Sequence, residues 1–134
     1  MIPWRHYLAE PVWAGGVALY VVNRLLLKPW LFHGNSFVHG HFSDALLIPC
    51  ALPPLLLAYR YLGLRTHDRA PTWGEIGLHL TAWSLFFESI GPAWLHRGTA
   101  DLWDAVSYAI GAAIAGILWM RRSSAGRVPE RVLQ

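Results

Sequence analysis

The chain has 134 residues, enough for one domain; 54% are hydrophobic, 14% are charged, 8 are Trp, and the formal net charge is +3. A soluble domain carries roughly 25% charged residues because its surface must face water, so this composition excludes an ordinary soluble globular protein. It also argues against a nucleic-acid binder, whose basic residues would gather on one face of a folded surface. Here they flank apolar stretches: Arg60, Arg65 and Arg69 surround one loop, and Arg121, Arg122, Arg127 and Arg131 crowd one end.

Taken in chain order, the apolar stretches predict an all-α, polytopic membrane bundle of about four transmembrane helices, over residues 12–31, 44–64, 75–94 and 104–120. Twenty residues at 1.5 Å rise match the hydrocarbon thickness of a bilayer, about 30 Å. Residues 1–122 then form a single transmembrane domain and 123–134 a disordered cytoplasmic tail. No cleavable signal pattern precedes the first stretch. Cys50, the lone cysteine, excludes an intrachain disulfide.

Orientation follows from the basic residues. With four spans, Arg5, Arg60, Arg65, Arg69, Arg121, Arg122, Arg127 and Arg131 share one side, against Arg24, Lys28 and Arg97 on the other. Positive residues stay inside, which predicts both termini in the cytoplasm of a bacterial inner-membrane protein. Trp13, Trp73 and Trp119 fall at the expected inner interface, and Trp30, Trp94 and Trp103 at the outer one. Residues 65–71 read as a solvated cytoplasmic turn. His79, one turn inside the third helix, reads as a packed, hydrogen-bonded residue.

The second helix contains Pro49, Pro53 and Pro54. Each proline removes a backbone donor, which frees the carbonyls of Ala45, Pro49 and Cys50 to find partners in neighbouring helices or water. Such a helix is either a kinked packing element or the wall of a polar cavity beside Asp44.

The polar residues concentrate toward the expected outer leaflet. Arg24 in the first span and Glu88 in the third each precede an interfacial Trp by six residues (Trp30 and Trp94), so they sit at matched depth. A charge at a helix centre costs about 2.5–3.5 kcal/mol on insertion scales, and such a pair is either a structural ion pair or a fixed charge for an anionic ligand. Asp44, Arg97, Asp101, Asp104 and Tyr108 complete the candidate ligand-binding cluster. Asp101 and Asp104 are also natural first-turn residues of the fourth helix. Asp101, Asp104, Tyr108, Gly111 and Ala115 share one face of it, and Gly111, Ala112, Ala115 and Gly116 allow a neighbouring helix to approach closely. His39, His41 and Asp44 have the residue types of a two-histidine, one-carboxylate metal site. Ser43 or Asp44 equally suits an N-cap of the second helix. No cofactor is implied beyond that candidate divalent metal.

At the third and fourth helices, the series Glu88, Arg97, Asp104 and Gly111 resembles the VanZ-like family of small bacterial membrane proteins. Tyr108 stands where that family carries Asn, and His39-x-His41-x-x-Asp44 replaces its acidic-His start of the second helix. The resemblance covers about half the chain and implies a role at the cell envelope, such as tolerance to glycopeptide antibiotics. The whole pattern is also similar to a group of uncharacterised four-helix membrane proteins, some labelled magnesium–citrate secondary transporter. It comprises Asn23-Arg24, the histidine-to-aspartate start of the second helix, and Thr99-Ala100-Asp101-x-x-Asp104. Three functions remain: binding of an anionic lipid headgroup or partner in an envelope role, a metal- or His/Asp-dependent enzyme on a lipid-linked substrate, and a small ion-coupled transporter subunit. Expected partners are membrane lipid and a second copy or another membrane protein, with no nucleic acid.

Overall fold

Pro11 and Glu10 fix where the first long helix begins. Glu10 has extended backbone and accepts the Trp13 N–H on its side chain at 2.9 Å, and Pro11 occupies the first turn, where a missing N–H costs nothing. The structure, a computed structural model, describes residues 5–31, 36–90 and 102–125, and among them the chain is helical with no strand. After a short helix α1 (Arg5–Leu8), helix α2 (Pro11–Val22) widens into a π-helical segment, Asn23–Leu31, that contains Pro29. Helices α3 (Ser36–Ala45) and α4 (Leu47–Tyr61) follow, separated by a single turn residue, Leu46. Helix α5 (Trp73–Leu85) ends in a π-helical turn, Phe86–Ile90, and α6 (Leu102–Ala125) closes the described chain.

The second expected helix differs most from the sequence reading. It starts at Ser36, so neither Ser43 nor Asp44 is its N-cap, and His39, His41 and Asp44 all lie inside α3. The break falls at Leu46 because Pro49 has no N–H to give the Ala45 carbonyl. The Leu46 N–H bonds back to Ser43 instead, at 3.2 Å. Neighbouring helices cover two of the three freed carbonyls. The Trp13 indole donates to Cys50 O at 3.0 Å. The Ala45 carbonyl presses on Gly111, where a Cβ would come within 1.7 Å of its oxygen. Only glycine permits that approach, which locks α3 to α6.

The core is built from α4, α5 and α6: Ile48, Leu52, Leu56, Ile76, Ala112, Ala115 and Trp119, with Tyr7 from α1. Trp119 is therefore not an interfacial anchor. It is 1% exposed and its indole donates to Glu10 Oε2 at 2.8 Å, because its face of α6 turns toward α2 and α4. Helix α6 also carries on through Ser123 and Ser124 to Ala125, beyond the expected start of the tail. Both hydroxyls bond carbonyls one turn back, those of Trp119 and Met120. Residues 126–134 lie outside the described residues.

Residues 65–71 are solvated only in part: Thr66, Asp68 and Arg69 are exposed, but Arg65 is not. Arg65 is 4% exposed; its guanidinium donates to both Glu75 oxygens, at 2.6 and 3.2 Å, to the Tyr7 hydroxyl and to the Arg69 carbonyl. Glu75 in turn closes a capping box with Thr72, the reciprocal bonding that starts α5. Burial opposes the Arg65 charge, but the hydrogen bonds and charge of Glu75 outweigh it and hold the guanidinium pKa above its ordinary value. Burial likewise pushes the Tyr7 phenol up, against the nearby Arg65 charge.

Two helices, His41–Tyr61 and Leu102–Ser124, are long and apolar enough to cross a membrane, and Pro11–Leu27 is a shorter apolar helix. The rest of the protein buries only 28% and 33% of the apolar windows of the first two.

Candidate functional site

The helical form of residues 36–45 decides which polar side chains meet. At 100° per residue, His41 and Asp44 share a face of α3, whereas His39 sits roughly 200° round the axis from His41. The His39 side chain lies outside the described residues. The third member comes from α6: Asp104, held opposite α3 by the Gly111–Ala45 contact two turns further along the helix. His41 Nδ1 is 3.1 Å from Asp104 Oδ1 and 3.8 Å from Asp44 Oδ2, and one ligand atom from each residue falls within 4.8 Å of the others. The side chains are half-buried, 15%, 27% and 29% exposed for His41, Asp44 and Asp104.

Two buried side chains flank this cluster. Tyr108, one turn along from Asp104, is buried with its ring 6.2 Å from that of Phe87. Asn23, at the point where α2 widens into π-helix, is 1% exposed and donates from Nδ2 to Ser43 Oγ at 2.9 Å. Its Oδ1 finds no donor among the described residues. Three helical rods thus contribute: α2 through Asn23, α3 through His41, Ser43 and Asp44, and α6 through Asp104.

One imidazole and two carboxylates form a nitrogen–oxygen donor set suited to a divalent ion such as Zn²⁺ or Mn²⁺. Zinc bonds of about 2.0–2.2 Å put tetrahedral ligand atoms about 3.4 Å apart, so the observed 3.1 and 3.8 Å separations bracket the required spacing. Three protein ligands leave a coordination position for water or a ligand oxygen, the arrangement of open rather than purely structural sites.

The other candidates divide. Arg24 is exposed at the start of the π-helical segment. Glu88 lies in the π-helical turn Phe86–Ile90, and its side chain is outside the described residues, as are all of Arg97 and Asp101. His79 is 6% exposed with Nδ1 2.6 Å from the Glu75 carbonyl and Nε2 3.2 Å from the Tyr59 hydroxyl. A carbonyl only accepts, so Nδ1 carries a proton and donates to it, and Nε2 hydrogen-bonds the Tyr59 hydroxyl. That is a structural histidine.

The sequence places Asp104 in the polar cluster but not in the metal set, names Asn23 only through the Asn23-Arg24 resemblance, and gives Glu10 no role. An amide in an otherwise apolar helix was the available signal for Asn23, and a carboxylate immediately before proline for Glu10. Pairing Asp104 with His41 required the tertiary contact between α3 and α6.

The described residues define the class: an all-helical bundle with two helices long and apolar enough to cross a membrane, carrying a half-buried His–Asp–Asp cluster where three rods meet. Comparison with protein-family models, with curated proteins and with solved structures finds no match.

Proposed function

We propose that the chain is a VanZ-like, multi-pass protein of the bacterial inner membrane with both termini in the cytoplasm. In this reading His41, Asp44 and Asp104 hold a divalent cation near the outer leaflet, and the cation engages the phosphate of an anionic envelope lipid. The convergence of three ligand-type side chains from two helices carries the site. The membrane placement draws on the apolar surface that the bundle leaves uncovered: Leu19, Leu25 and Leu26 along the first rod, Leu78 and Leu85 on α5, and Ile110, Ile114 and Leu118 on α6 are all exposed. Apolar surface of that extent belongs against lipid or another membrane segment. The basic residues at one end supply the orientation.

The test is metal analysis of the purified full-length protein after equilibration with Zn²⁺ or Mn²⁺ and removal of free ion. The expected result is about one ion per chain, with binding weakened at least tenfold by Asp104→Asn or His41→Ala. A metal-free wild type, with variants that only unfold more readily, would reduce the cluster to a latch between α3 and α6. A second reading rests on the open coordination position, which suits a metal-bound water and hence hydrolysis of a lipid-linked phosphate ester. Metal-dependent release of phosphate from a lipid phosphate monoester, lost in Asp104→Asn, selects it over simple binding.

A further inference from the structure

At the opposite end from the His41 cluster, a cavity of about 520 Å³ opens between the α1–α2 junction, the middle of α4, residues 68–71 and the end of α6. Its volume falls within the ligand-pocket range of roughly 300–1,000 Å³. Its walls change character with burial. Asp68, Arg69 and Arg122 on its lining are exposed, whereas Pro53 and Leu56 are buried. Pro53 precedes the end of α4 by eight residues, about 12 Å along the helix, so the lining extends from the charged loop to the middle of α4.

The charges on the lining are not equally available. Asp68 Oδ1 accepts from the Tyr7 hydroxyl at 3.1 Å and from Arg60 Nε at 3.2 Å. Glu10, also on the wall, uses Oε2 to accept the Trp13 N–H and the Trp119 indole, at 2.9 and 2.8 Å. Both carboxylates therefore serve the fold. Arg122 lies only loosely by Glu10, at 3.8 Å, and is 58% exposed. The Arg69 guanidinium makes no hydrogen bond or ion pair among the described residues, although its carbonyl accepts from Arg65. Two guanidinium groups with donors to spare above an apolar wall call for an anion attached to hydrocarbon.

We propose that this cavity seats the headgroup of an anionic phospholipid of the cytoplasmic leaflet, its phosphate between Arg69 and Arg122 and its first acyl carbons against Pro53 and Leu56. The assignment rests on the membrane placement proposed above. It is independent of the metal cluster, which lies at the other end of the bundle.

The experiment is native mass spectrometry of the full-length protein released from nanodiscs containing equal phosphatidylglycerol and phosphatidylcholine. The expected result is retention of phosphatidylglycerol over phosphatidylcholine by about tenfold, falling to parity in Arg69→Gln/Arg122→Gln. Both substituted side chains are exposed, and an unchanged melting temperature shows that the variant is folded. Leu56→Trp, which fills the inner wall, is expected to lower retention of both lipids. Equal retention of the two lipids by wild type overturns the assignment, as does a preference that survives in the double variant. Displacement of the lipid by soluble glycerol 3-phosphate overturns the lipid as occupant in favour of a soluble phosphate ester. Recovery of the chain in the alkali-soluble fraction of cells overturns the membrane placement itself. A membrane-embedded chain without lipid preference overturns the cavity assignment alone.

Discussion

The two ends of the bundle use similar residue types to different ends. At the Arg65 end, the guanidinium, the Glu75 carboxylate, the Tyr7 hydroxyl and two backbone groups consume one another's hydrogen-bonding capacity, and Asp68 joins through Tyr7 and Arg60. At the His41 end one imidazole lies between two carboxylates, His41 Nδ1 being 3.1 Å from Asp104 Oδ1 and 3.8 Å from Asp44 Oδ2, and one ligand-type atom of each residue falls within 4.8 Å of the others. The backbone follows the same division. A capping box starts α5 cleanly at the Arg65 end, whereas Asn23 opens a π-helical segment and Leu46 breaks the second rod at the His41 end.

The sharpest way to break this contrast is at the saturated end. Arg65→Ala strands Glu75 in a half-buried setting and removes the donors that bind α1 and the loop to α5. Breaking a buried ion pair from one side costs about 3–5 kcal/mol; the lower figure applies because Glu75 keeps 21% of its side chain exposed. Unfolding by SDS titration in mixed micelles should show that loss, while metal uptake per folded molecule stays at the wild-type value. A metal site lost together with Arg65 would mean that the two ends are not separable.

Gly111→Ala addresses both ends of the contrast at once. The new Cβ meets the Ala45 carbonyl at 1.7 Å, a backbone atom that cannot swing aside. Overpacking of this kind costs about 1–3 kcal/mol. Separating α3 from α6 should also weaken cation binding, so stability and metal affinity fall together in this variant alone. Unaltered metal affinity would show that the cluster does not depend on the close approach.

Trp13→Phe removes the donor to Cys50 O and leaves a proline-freed carbonyl without its partner. The expected destabilisation is about 1–3 kcal/mol, toward the lower end if a water or lipid group replaces the indole. It is measured by the same titration, with the ring retained to limit the packing change.

Asp104→Asn has the smallest expected effect on folding, below about 1 kcal/mol, because the amide preserves shape and the site is partly exposed. Its effect on metal affinity is the largest of the four. Added Zn²⁺ should raise the melting temperature of the wild type and leave that of Asp104→Asn unmoved. Equal responses would remove Asp104 from the ligand set.

Composition and charge were enough to mark an all-helical chain with membrane-type apolar stretches, since those properties are sums over residues and need no knowledge of contacts. Periodicity along α6 likewise identified its buried face: Tyr108, Gly111 and Ala115 recur at helical spacing and are buried. The sequence also named all three members of the cluster, because histidine and aspartate are conspicuous among apolar neighbours. Tertiary structure alone decided that His41 and Asp44 share a face with Asp104 as partner, because that required the helix to begin at Ser36 and not at Asp44. It alone placed Trp119 in the core and buried Arg65 in a hydrogen-bonded network, since a basic loop and an aromatic near a helix end look the same in sequence whether they face water, lipid or each other. A linear pattern records which groups need partners, and only the packing of the rods supplies them.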